Sequence, residues 1–350
     1  MEPQAPAPGP PTIRAKAPLR VSFGGGGTDI ASYFEQHGGC VISATINKYA
    51  YGTLIPRPAG DEITIKSLDF DIVERFPRAE KMTAGGKLDL VKAVVQNFHP
   101  DTGLDMFLHS EAPPGSGLGS SSTMVVALIG LFNHWKGLAL TDYDIAELAY
   151  KIERKDLGIQ GGAQDQYAAA FGGFNFIEFH KDNIVVNPLK VKRSVLNELE
   201  YRTLLVYTGT TRLSANIIQE QEQRTKTGAN VEALHATKAL AVRMKNALLR
   251  GELEQLGQLL HEGWEHKRQF ASKISSPEIE KLYEVARAHG ALGGKVLGAG
   301  GGGFMMLFCD FERKHEVARE VERLGARPGG ISFEMKGVQS WTVKGGAWSP

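Results

Sequence analysis

Glycine is concentrated in a way that restricts how this chain can fold. The sequence contains 41 glycines in 350 residues, about 12% against an average of about 7%. Many of them lie in three clusters: Gly24–Gly27, Pro113–Ser122 and Gly298–Gly303. A single glycine run is as typical of a flexible loop as of a binding site, but each of these runs adjoins a predicted strand or helix. The pattern therefore predicts three places where the backbone approaches a ligand closely.

Composition and charge exclude several classes of partner. Lys and Arg number 40 and Asp and Glu number 39, so no excess charge favours nucleic acid or an anionic lipid surface. The longest apolar run, around Met124–Phe132, is shorter than the ~18 residues of a membrane-spanning helix. Cys40 and Cys309 are far apart and predict neither a disulfide framework nor a cysteine metal site. We expect a cytoplasmic enzyme with a small-molecule substrate and with no nucleic-acid or membrane partner.

Periodicity divides the chain into a lead and two domains. Residues 1–12 are rich in proline and predict a disordered lead, and residues 13–200 and 201–350 are expected to form an N-terminal and a C-terminal domain. Alternation predicts strands at Leu19–Phe23, Tyr49–Arg57, Glu62–Asp69, Asn175–Phe179, Ile184–Val186, Phe304–Cys309, Phe333–Lys336 and Gln339–Val343. Of these, Asn175–Phe179 and Ile184–Val186 are expected to form a hairpin. Helical spacing predicts helices at Met124–Trp135, Asp142–Asp156, within Ser214–Phe270, from Ser276 to Gly290, and at Glu312–Leu324. Thr141 with Asp144, and Ser276 with Pro277, are the residues expected to begin two of them.

Several familiar motifs fail because their structural context is missing. Gly298–Gly303 fits the G-x-G-x-x-G pattern of dinucleotide-binding sites, but a strand-like segment follows it where that site requires a helix. No Walker A sequence is present. His261 and His266 are five residues apart, too far around a helix to bind one zinc ion from a single face. Pro113–Ser122 therefore becomes the main candidate.

The segment Pro113–Ser122 predicts an anion-binding loop. Its glycines let backbone amides approach a ligand, and a helix begins directly after it, from about Ser121, so that free amides and the helix dipole face the loop. One hydroxyl of the three in Ser120, Ser121 and Ser122 would suffice to cap that helix, and the surplus favours phosphate or metal contacts. A polyphosphate accompanied by Mg²⁺, which needs only one or two protein oxygens, fits this pattern.

Two carboxylates downstream of that loop are candidates for chemistry. On the predicted helix Asp142–Asp156, Glu153 falls just outside the apolar stripe. It is either a ligand or one half of a boundary ion pair with Arg154 or Lys155. Asp165 lies where a loop meets the start of a helix. It is either an N-cap or a rigidly held acid–base group.

Together, the three glycine segments make the sequence similar to the GHMP family of small-molecule kinases, from about residue 13 to about residue 345. Pro113–Ser122 matches the family's P-x-x-x-G-L-G-S-S phosphate loop, Gly161–Asp165 matches the stretch with its catalytic aspartate, and Gly298–Gly303 matches its third element. The resemblance implies an α+β, two-domain GHMP kinase fold. Its N-terminal domain would be like domain 2 of ribosomal protein S5 and its C-terminal domain ferredoxin-like, with ATP and substrate between them.

The same resemblance implies roles for individual residues. Asp165 would be the catalytic base, and Ser121 and Glu153 would be the Mg²⁺ ligands. Arg20 stands where many members have Lys; because Arg has no accessible neutral form, it could act only as an electrostatic clamp. The ATP phosphates would be bound by Pro114, Gly115, Ser116, Gly117, Leu118, Gly119, Ser120, Ser121 and Ser122.

Within the family, the segments Phe23–Asp29, Ala44–Tyr49, Tyr207–Arg212 and Lys295–Phe304 look most like those of D-glycero-D-manno-heptose 7-phosphate kinases. Those enzymes phosphorylate an anomeric oxygen toward nucleotide-activated heptose for surface polysaccharide. Two alternatives stay open: a 1-kinase for an unphosphorylated sugar such as L-fucose, and a ligand-sensing relative that has lost catalysis. The oligomeric state is also open, with a homodimer as one arrangement. The sugar phosphate would be bound by Gly26, Gly27, Thr28, Asp29, Arg212, Gly300 and Gly301.

Overall fold

The computed structural model describes residues 10–58, 60–209 and 214–343, and it contains two β-sheets covered by helices. The strands are β1 (Thr12–Gly24), β2 (Gly39–Arg57), β3 (Ile63–Ser67), β4 (Ile72–Phe76), β5 (Gly103–Ser110), β6 (Phe174–Phe179), β7 (Ile184–Pro188), β8 (Thr203–Tyr207), β9 (Ala291–Val296), β10 (Phe304–Cys309), β11 (Arg327–Gly329) and β12 (Gln339–Val343). The helices are α1 (Ala31–His37), α2 (Asp89–Phe98), α3 (Ser120–Lys136), α4 (Asp142–Tyr150), α5 (Gln164–Phe171), α6 (Arg193–Arg202), α7 (Ser214–Lys226), α8 (Val231–Arg250), α9 (Leu253–Lys267), α10 (Pro277–Ala288) and α11 (Lys314–Arg323).

The first sheet is organised around the 19-residue strand β2. Its strand order is β12-β1-β2-β5-β3-β4, and β6 and β7 extend it as a hairpin from the other half of β2. Residues 39–44 of β2 pair with β6, whereas residues 50–57 pair with β5. All pairs are antiparallel apart from β3 with β5. One long strand thus connects the two parts of the sheet.

Helix α3 is the centre of the N-terminal core. The apolar run that forms it is buried on every side from Val125 to Phe132, as expected for a helix that is apolar all round. It packs against β1 and β2 on one side and against α2, α4 and α5 on the others. The first residues of α3 are consequently fixed at the end of a rigid helix.

The second sheet has the order β11-β8-β10-β9, and α10 and α11 pack on it. Helices α8 and α9 lie between the two sheets. Their apolar residues, such as Met244 and Leu260, share one cluster with Leu19 and Ile42 of the first sheet and Phe308 of the second. This common core holds the end of β1 against loops that belong to the second sheet.

Several local predictions are confirmed. Thr141 and Asp144 form the reciprocal capping box at the start of α4. Ser276 caps α10, with Pro277 in the first turn, and its hydroxyl accepts a hydrogen bond from the Ile279 amide. The predicted hairpin is present as β6 and β7. Local sequence signals therefore located these element boundaries.

Other predictions need correction. The predicted strand Phe333–Lys336 is reduced to a single bridge between Ile46 and Phe333. The predicted helix Asp142–Asp156 continues beyond α4 as a π-helix, Lys151–Asp156. Strand β12 lies beyond the predicted domain boundary near residue 200, yet it pairs with β1 of the first sheet.

Residues 1–9 of the predicted lead lie outside the described residues, and Thr12 already belongs to β1. Among the residues that the structure describes, no helix is both long enough and apolar enough to cross a membrane.

Candidate active site

A cavity of about 250 Å³ opens where the glycine-rich segments meet. Its wall is formed by the end of β1, the loop before α3, the first turn of α3, the π-helix and the loop that leads into α5. Part of the third glycine segment closes it from the side of the second sheet. Most of the residues singled out in the sequence are therefore brought into one place by elements far apart in the chain.

The loop before α3 alternates between two kinds of residue. Gly115, Gly117 and Gly119 have φ angles of +76°, +86° and +76°, a conformation that favours glycine. Ser116 and Leu118 between them are completely buried. Helix α3 begins at Ser120, and no side chain caps it, so its first amides are free to bind an anion.

This geometry divides the predicted phosphate-binding set in two. The three glycines and the serines of the first turn line the cavity, whereas Pro114, Ser116 and Leu118 do not. The side chains of the last two anchor the loop in the protein interior, so their predicted part in binding the phosphates is limited to the backbone. Their burial forces the intervening glycines toward the cavity.

Arg20 and Asp165 form an ion pair at the edge of this loop. Nε of Arg20 donates to Oδ1 of Asp165, at 2.8 Å, and Nη2 lies 2.7 Å from the same oxygen. Nη1 of Arg20 donates to the carbonyl oxygen of Gly117, at 2.5 Å. Arg20 is 3% exposed and the Asp165 side chain 20% exposed. The carboxylate is thus held next to the phosphate loop while it keeps access to the cavity.

Glu153 is buried by the π-helix, and it is 2% exposed. The wider π-turn changes the angular position of each residue, so the edge position predicted for a regular α-helix is wrong. Oε2 of Glu153 accepts a hydrogen bond from Ser122, at 2.8 Å, and Oε1 accepts one from Gln166, at 3.0 Å. Arg154 also pairs with it, at 3.3 Å. Burial raises the pKa of the Glu153 carboxyl, and Arg154 opposes that shift.

The predicted Mg²⁺ ligands Ser121 and Glu153 both line the cavity, but the serine that is hydrogen-bonded to Glu153 is the next one in the chain. Ser122 makes the hydrogen bond to Glu153, whereas Ser121 is exposed and lines the cavity. One turn of α3 places consecutive serines about 100° apart, so only one of the two can face Glu153 directly.

The turn after β1 places Asp29 in the cavity wall. Oδ1 of Asp29 accepts from the Gly27 amide, at 2.8 Å, and Oδ2 accepts from the backbone and side-chain nitrogens of Gln164. Burial, followed by the nearby Asp165 charge, raises the pKa of the Asp29 carboxyl. Thr28 is fully buried, and its hydroxyl bonds to the backbone of Gly25 and Cys40. Thr28 therefore shapes the turn, contrary to its predicted substrate contact.

The third glycine segment packs directly on the phosphate loop. A Cβ atom added to Gly298 would lie 2.6 Å from the Cα of Gly117, and one added to Gly117 would lie 2.5 Å from the Leu297 carbonyl oxygen. Gly298 and Ala299 line the cavity, whereas Gly300 and Gly301 do not. The latter two pack against Ile274, whose carbonyl oxygen accepts a hydrogen bond from the Gly301 amide. Their predicted contact with the substrate is therefore corrected to a packing role behind the cavity wall.

Three predicted substrate residues remain to be placed. Gly26 and Gly27 line a small pocket beside the main cavity, and Gly27 lines both. Arg212 lies outside the described residues.

Sequence reasoning missed two buried lysines near the site. Lys267 at the end of α9 is 8% exposed, and Lys295 in β9 is 5% exposed. Lys295 stands in the segment Gly293-Gly294-Lys295-Val296, inside a strand whose last four residues are buried. A charged residue in a buried strand is the signal that could have found it.

An amide-lined loop at a helix N-terminus, beside a carboxylate and a guanidinium, is the arrangement of an enzyme that transfers a phosphoryl group. The family model "GHMP kinases N terminal domain" matches residues 89–173, which include the phosphate loop, Glu153 and Asp165. The model "GHMP kinases C terminal" matches residues 244–327. The chain therefore belongs to the GHMP kinase family, whose sugar-kinase members are ATP-dependent phosphotransferases.

Individual relatives agree with this assignment. The chain is 40% identical to the D-glycero-alpha-D-manno-heptose 7-phosphate kinase of Campylobacter jejuni, over 95% of this chain and 99% of that protein. It is 27% identical to the bifunctional fucokinase/GDP-fucose pyrophosphorylase of Arabidopsis thaliana, over 95% of this chain but 33% of that protein. The crystal structure of a D-glycero-D-manno-heptose 1-phosphate kinase from Bacteroides thetaiotaomicron superposes with a TM-score of 0.80, at 36% identity, over 95% of this chain and 100% of that one.

Proposed function

We propose that the protein transfers the γ-phosphate of ATP to the anomeric hydroxyl of D-glycero-D-manno-heptose 7-phosphate. The observation that carries the proposal is the position of Asp165, whose carboxylate is held by Arg20 directly beside the phosphate loop. The choice of sugar is supported by the 40% identical Campylobacter jejuni relative, whose name gives that substrate. The product would be a sugar 1-phosphate that still carries its 7-phosphate, and reactions that attach a nucleotide to an anomeric phosphate could consume it after removal of the 7-phosphate.

The chemistry asks the protein for alignment and charge more than for covalent participation. The free amides at the start of α3 and the preceding glycine loop would bind the phosphates of ATP. Asp165 would accept or orient the anomeric proton, which is more acidic than that of an ordinary alcohol. Arg20 would contribute positive charge beside the transferred group, and it would also keep Asp165 in position.

Asp29 is proposed to bind sugar hydroxyls. Its carboxylate offers about four acceptor positions, and three of them already hold Gly27 and the two nitrogens of Gln164. One position is left for a substrate hydroxyl, and a hydrogen bond to an ionised carboxylate is stronger than one between neutral groups. The bonds from Gly27 and Gln164 would fix the direction of that contact.

The side-chain oxygens in the cavity wall also suit a magnesium ion. Mg²⁺ prefers oxygen ligands, and in nucleotide sites it takes one or two from the protein and others from phosphates and water. Glu153 and Ser121 line the same cavity as the phosphate loop, and they would hold the ion in the proposed complex. A bound Mg²⁺ would neutralise charge on the nucleotide phosphates.

Replacement of Glu153 by Gln should raise the Mg²⁺ concentration needed for half-maximal activity by at least ~10-fold, the smaller end of the losses seen even for groups that only support a metal ligand. The Michaelis constant for the sugar should change far less. Glu147→Gln, an exposed exchange on the neighbouring helix α4, is the matched control. An unchanged Mg²⁺ titration would leave Glu153 as the partner of Arg154, Ser122 and Gln166 only.

The substrate proposal predicts a clear preference among sugars. With ATP and Mg²⁺, D-glycero-D-manno-heptose 7-phosphate should give a new anomeric phosphate signal by phosphorus NMR, and kcat/KM should exceed that for free heptose and L-fucose. Preference for L-fucose would favour the alternative that the Arabidopsis thaliana relative suggests by its name. Absence of turnover with every sugar would favour the ligand-sensing alternative, which the presence of Asp165 and Glu153 argues against.

A cytoplasmic location is part of the proposal. Both cysteines, Cys40 and Cys309, are buried free thiols, as expected in a reducing compartment. A homodimer remains a prediction.

A further inference from the structure

A smaller pocket of about 40 Å³ opens from the main cavity. Water needs about 10–15 Å³ on the same measure, so the pocket has room for roughly three waters or for the oxygens of one tetrahedral anion. Two buried lysines, one serine and one phenylalanine are among the residues that line it alone: Ser22, Gly26, Lys267, Phe270 and Lys295. Both cavities share the lining residues Arg20, Gly27, Gln164, Gln221, Gly298 and Ala299.

The two lysines are unusual because they are buried without a counter-ion. Nζ of Lys267 donates to the carbonyl oxygens of Val296 and Gly298, at 2.7 and 2.6 Å. Nζ of Lys295 makes one long hydrogen bond of 3.4 Å, to the carbonyl oxygen of Phe23. Within the described residues, neither ammonium group has a carboxylate within 4.0 Å. Burial of an unpaired charge is costly, so an anion in the pocket would relieve it.

Neutral donors in the same pocket also lack partners. The hydroxyl of Ser22 and Nε2 of Gln221 are buried and make no hydrogen bond within the described part of the chain. Their side chains are 4% and 6% exposed. A buried donor without an acceptor costs about 1–3 kcal/mol of stability. A ligand that brought acceptor oxygens into the pocket would satisfy both donors.

We propose that this pocket, formed by Lys267, Lys295, Ser22 and Gln221, binds the phosphate group that the sugar substrate already carries. The proposal rests on the proposed function, and it assigns the 7-phosphate to residues other than Arg212. Cationic and neutral donors together match a phosphate dianion, which accepts hydrogen bonds at every terminal oxygen. The phosphates of ATP have their own amide-lined loop in the main cavity, so this pocket is left for the second phosphate of the reaction.

The protonation of Lys295 gives the proposal a pH signature. Burial lowers the pKa of Lys295 to about 8, with a further decrease from Arg20 and an opposing effect of Asp29. Burial, Lys295 and Arg20 lower the pKa of Lys267 as well. Above pH 8 the empty pocket therefore loses positive charge, whereas the sugar phosphate is a dianion throughout. The affinity for the sugar phosphate should fall as the pH rises above about 8.

The decisive measurement is the ratio of kcat/KM for heptose 7-phosphate to kcat/KM for free heptose. Lys295→Met keeps much of the side-chain volume and removes the charge, and it should lower that ratio by at least ~10-fold, with the KM for ATP unchanged. Lys181→Met, in the exposed turn between β6 and β7, should leave the ratio unchanged. Lys295→Arg should keep a ratio above that of Lys295→Met and weaken the decline above pH 8, because Arg stays charged and only Lys267 is left to lose its proton.

The possible outcomes distinguish a failure of the phosphate pocket from a failure of the proposed kinase function. Equal losses on both sugars in Lys295→Met, at an unchanged unfolding temperature, would overturn the phosphate site and leave the kinase proposal intact. The phosphate site would also be overturned if Arg212→Ala lost the preference for heptose 7-phosphate while Lys295→Met kept it. A wild-type enzyme that prefers the free sugar would contradict the proposed function, and the pocket assignment with it.

Discussion

Asp165→Asn is expected to lower the turnover number by roughly 10²–10⁴, the usual range for the loss of a general base, and to leave the affinity for ATP close to that of the wild type. The amide cannot take up the proton of the sugar's anomeric hydroxyl. It keeps the size of the side chain, however, and can still accept a hydrogen bond from Arg20. Turnover and nucleotide binding should be measured separately, by steady-state kinetics and by calorimetry with a non-hydrolysable ATP analogue.

The matched control for this experiment is Asp142→Asn. Asp142 is also an acidic residue in the first turn of a helix, α4, but it is exposed and lies outside the cavity lining. Both exchanges remove the same charge from a helix N-terminus, where it stabilises the dipole. If Asp165→Asn behaved like Asp142→Asn and kept nearly full turnover, the Asp165 carboxylate would serve the helix and not the reaction.

Arg20→Met should reduce turnover by about 10³-fold, the lower end of the effect of an arginine that stabilises a transferring phosphoryl group. Two losses combine here. The charge beside the transferred group disappears, and both Asp165 and the Gly117 carbonyl lose the guanidinium that positions them. Unlike Asp165→Asn, this exchange should also raise the KM for ATP, because Gly117 belongs to the phosphate loop.

Arg20→Lys distinguishes charge from geometry. Lysine restores the charge but cannot donate to Asp165 and Gly117 from one rigid planar group. We expect turnover between those of the wild type and Arg20→Met. Because Arg20 is buried, thermal unfolding should be measured for both variants. The loss of unfolding free energy should be smaller than the ~3–5 kcal/mol seen when a fully buried ion pair is broken, since Asp165 reaches solvent. Wild-type kinetics in Arg20→Met would show that the pair is not part of the reaction.

Short-range features of this protein were predictable from its sequence. The capping box at Thr141, the serine–proline start of α10 and the hairpin of β6 and β7 each depend on residues within a few positions of one another. The phosphate loop was also predictable, because alternating glycines and a following helix are local features. Asp165 was a candidate because of its place at a loop–helix junction, Arg20 was singled out by resemblance, and their ion pair was not foreseen.

Long-range features were not predictable in the same way. The burial of Glu153 depends on a π-turn, which opens where packing demands it and has no periodic signal. The pairing of β12 with β1 joins residues about 330 positions apart, and no local pattern records such a pairing. Lys267 and Lys295 come together only because α9 and β9 pack side by side.

The contact between Gly117 and Gly298 makes the two glycine segments one mechanical part. Each excludes a Cβ from the other, and Phe304 donates its amide to the carbonyl oxygen of Ser116. The curvature of the nucleotide loop is thus set by a segment about 180 residues downstream. A graft of Pro113–Ser122 into another scaffold would not keep its shape, and the two segments must be transplanted, randomised or evolved as a pair.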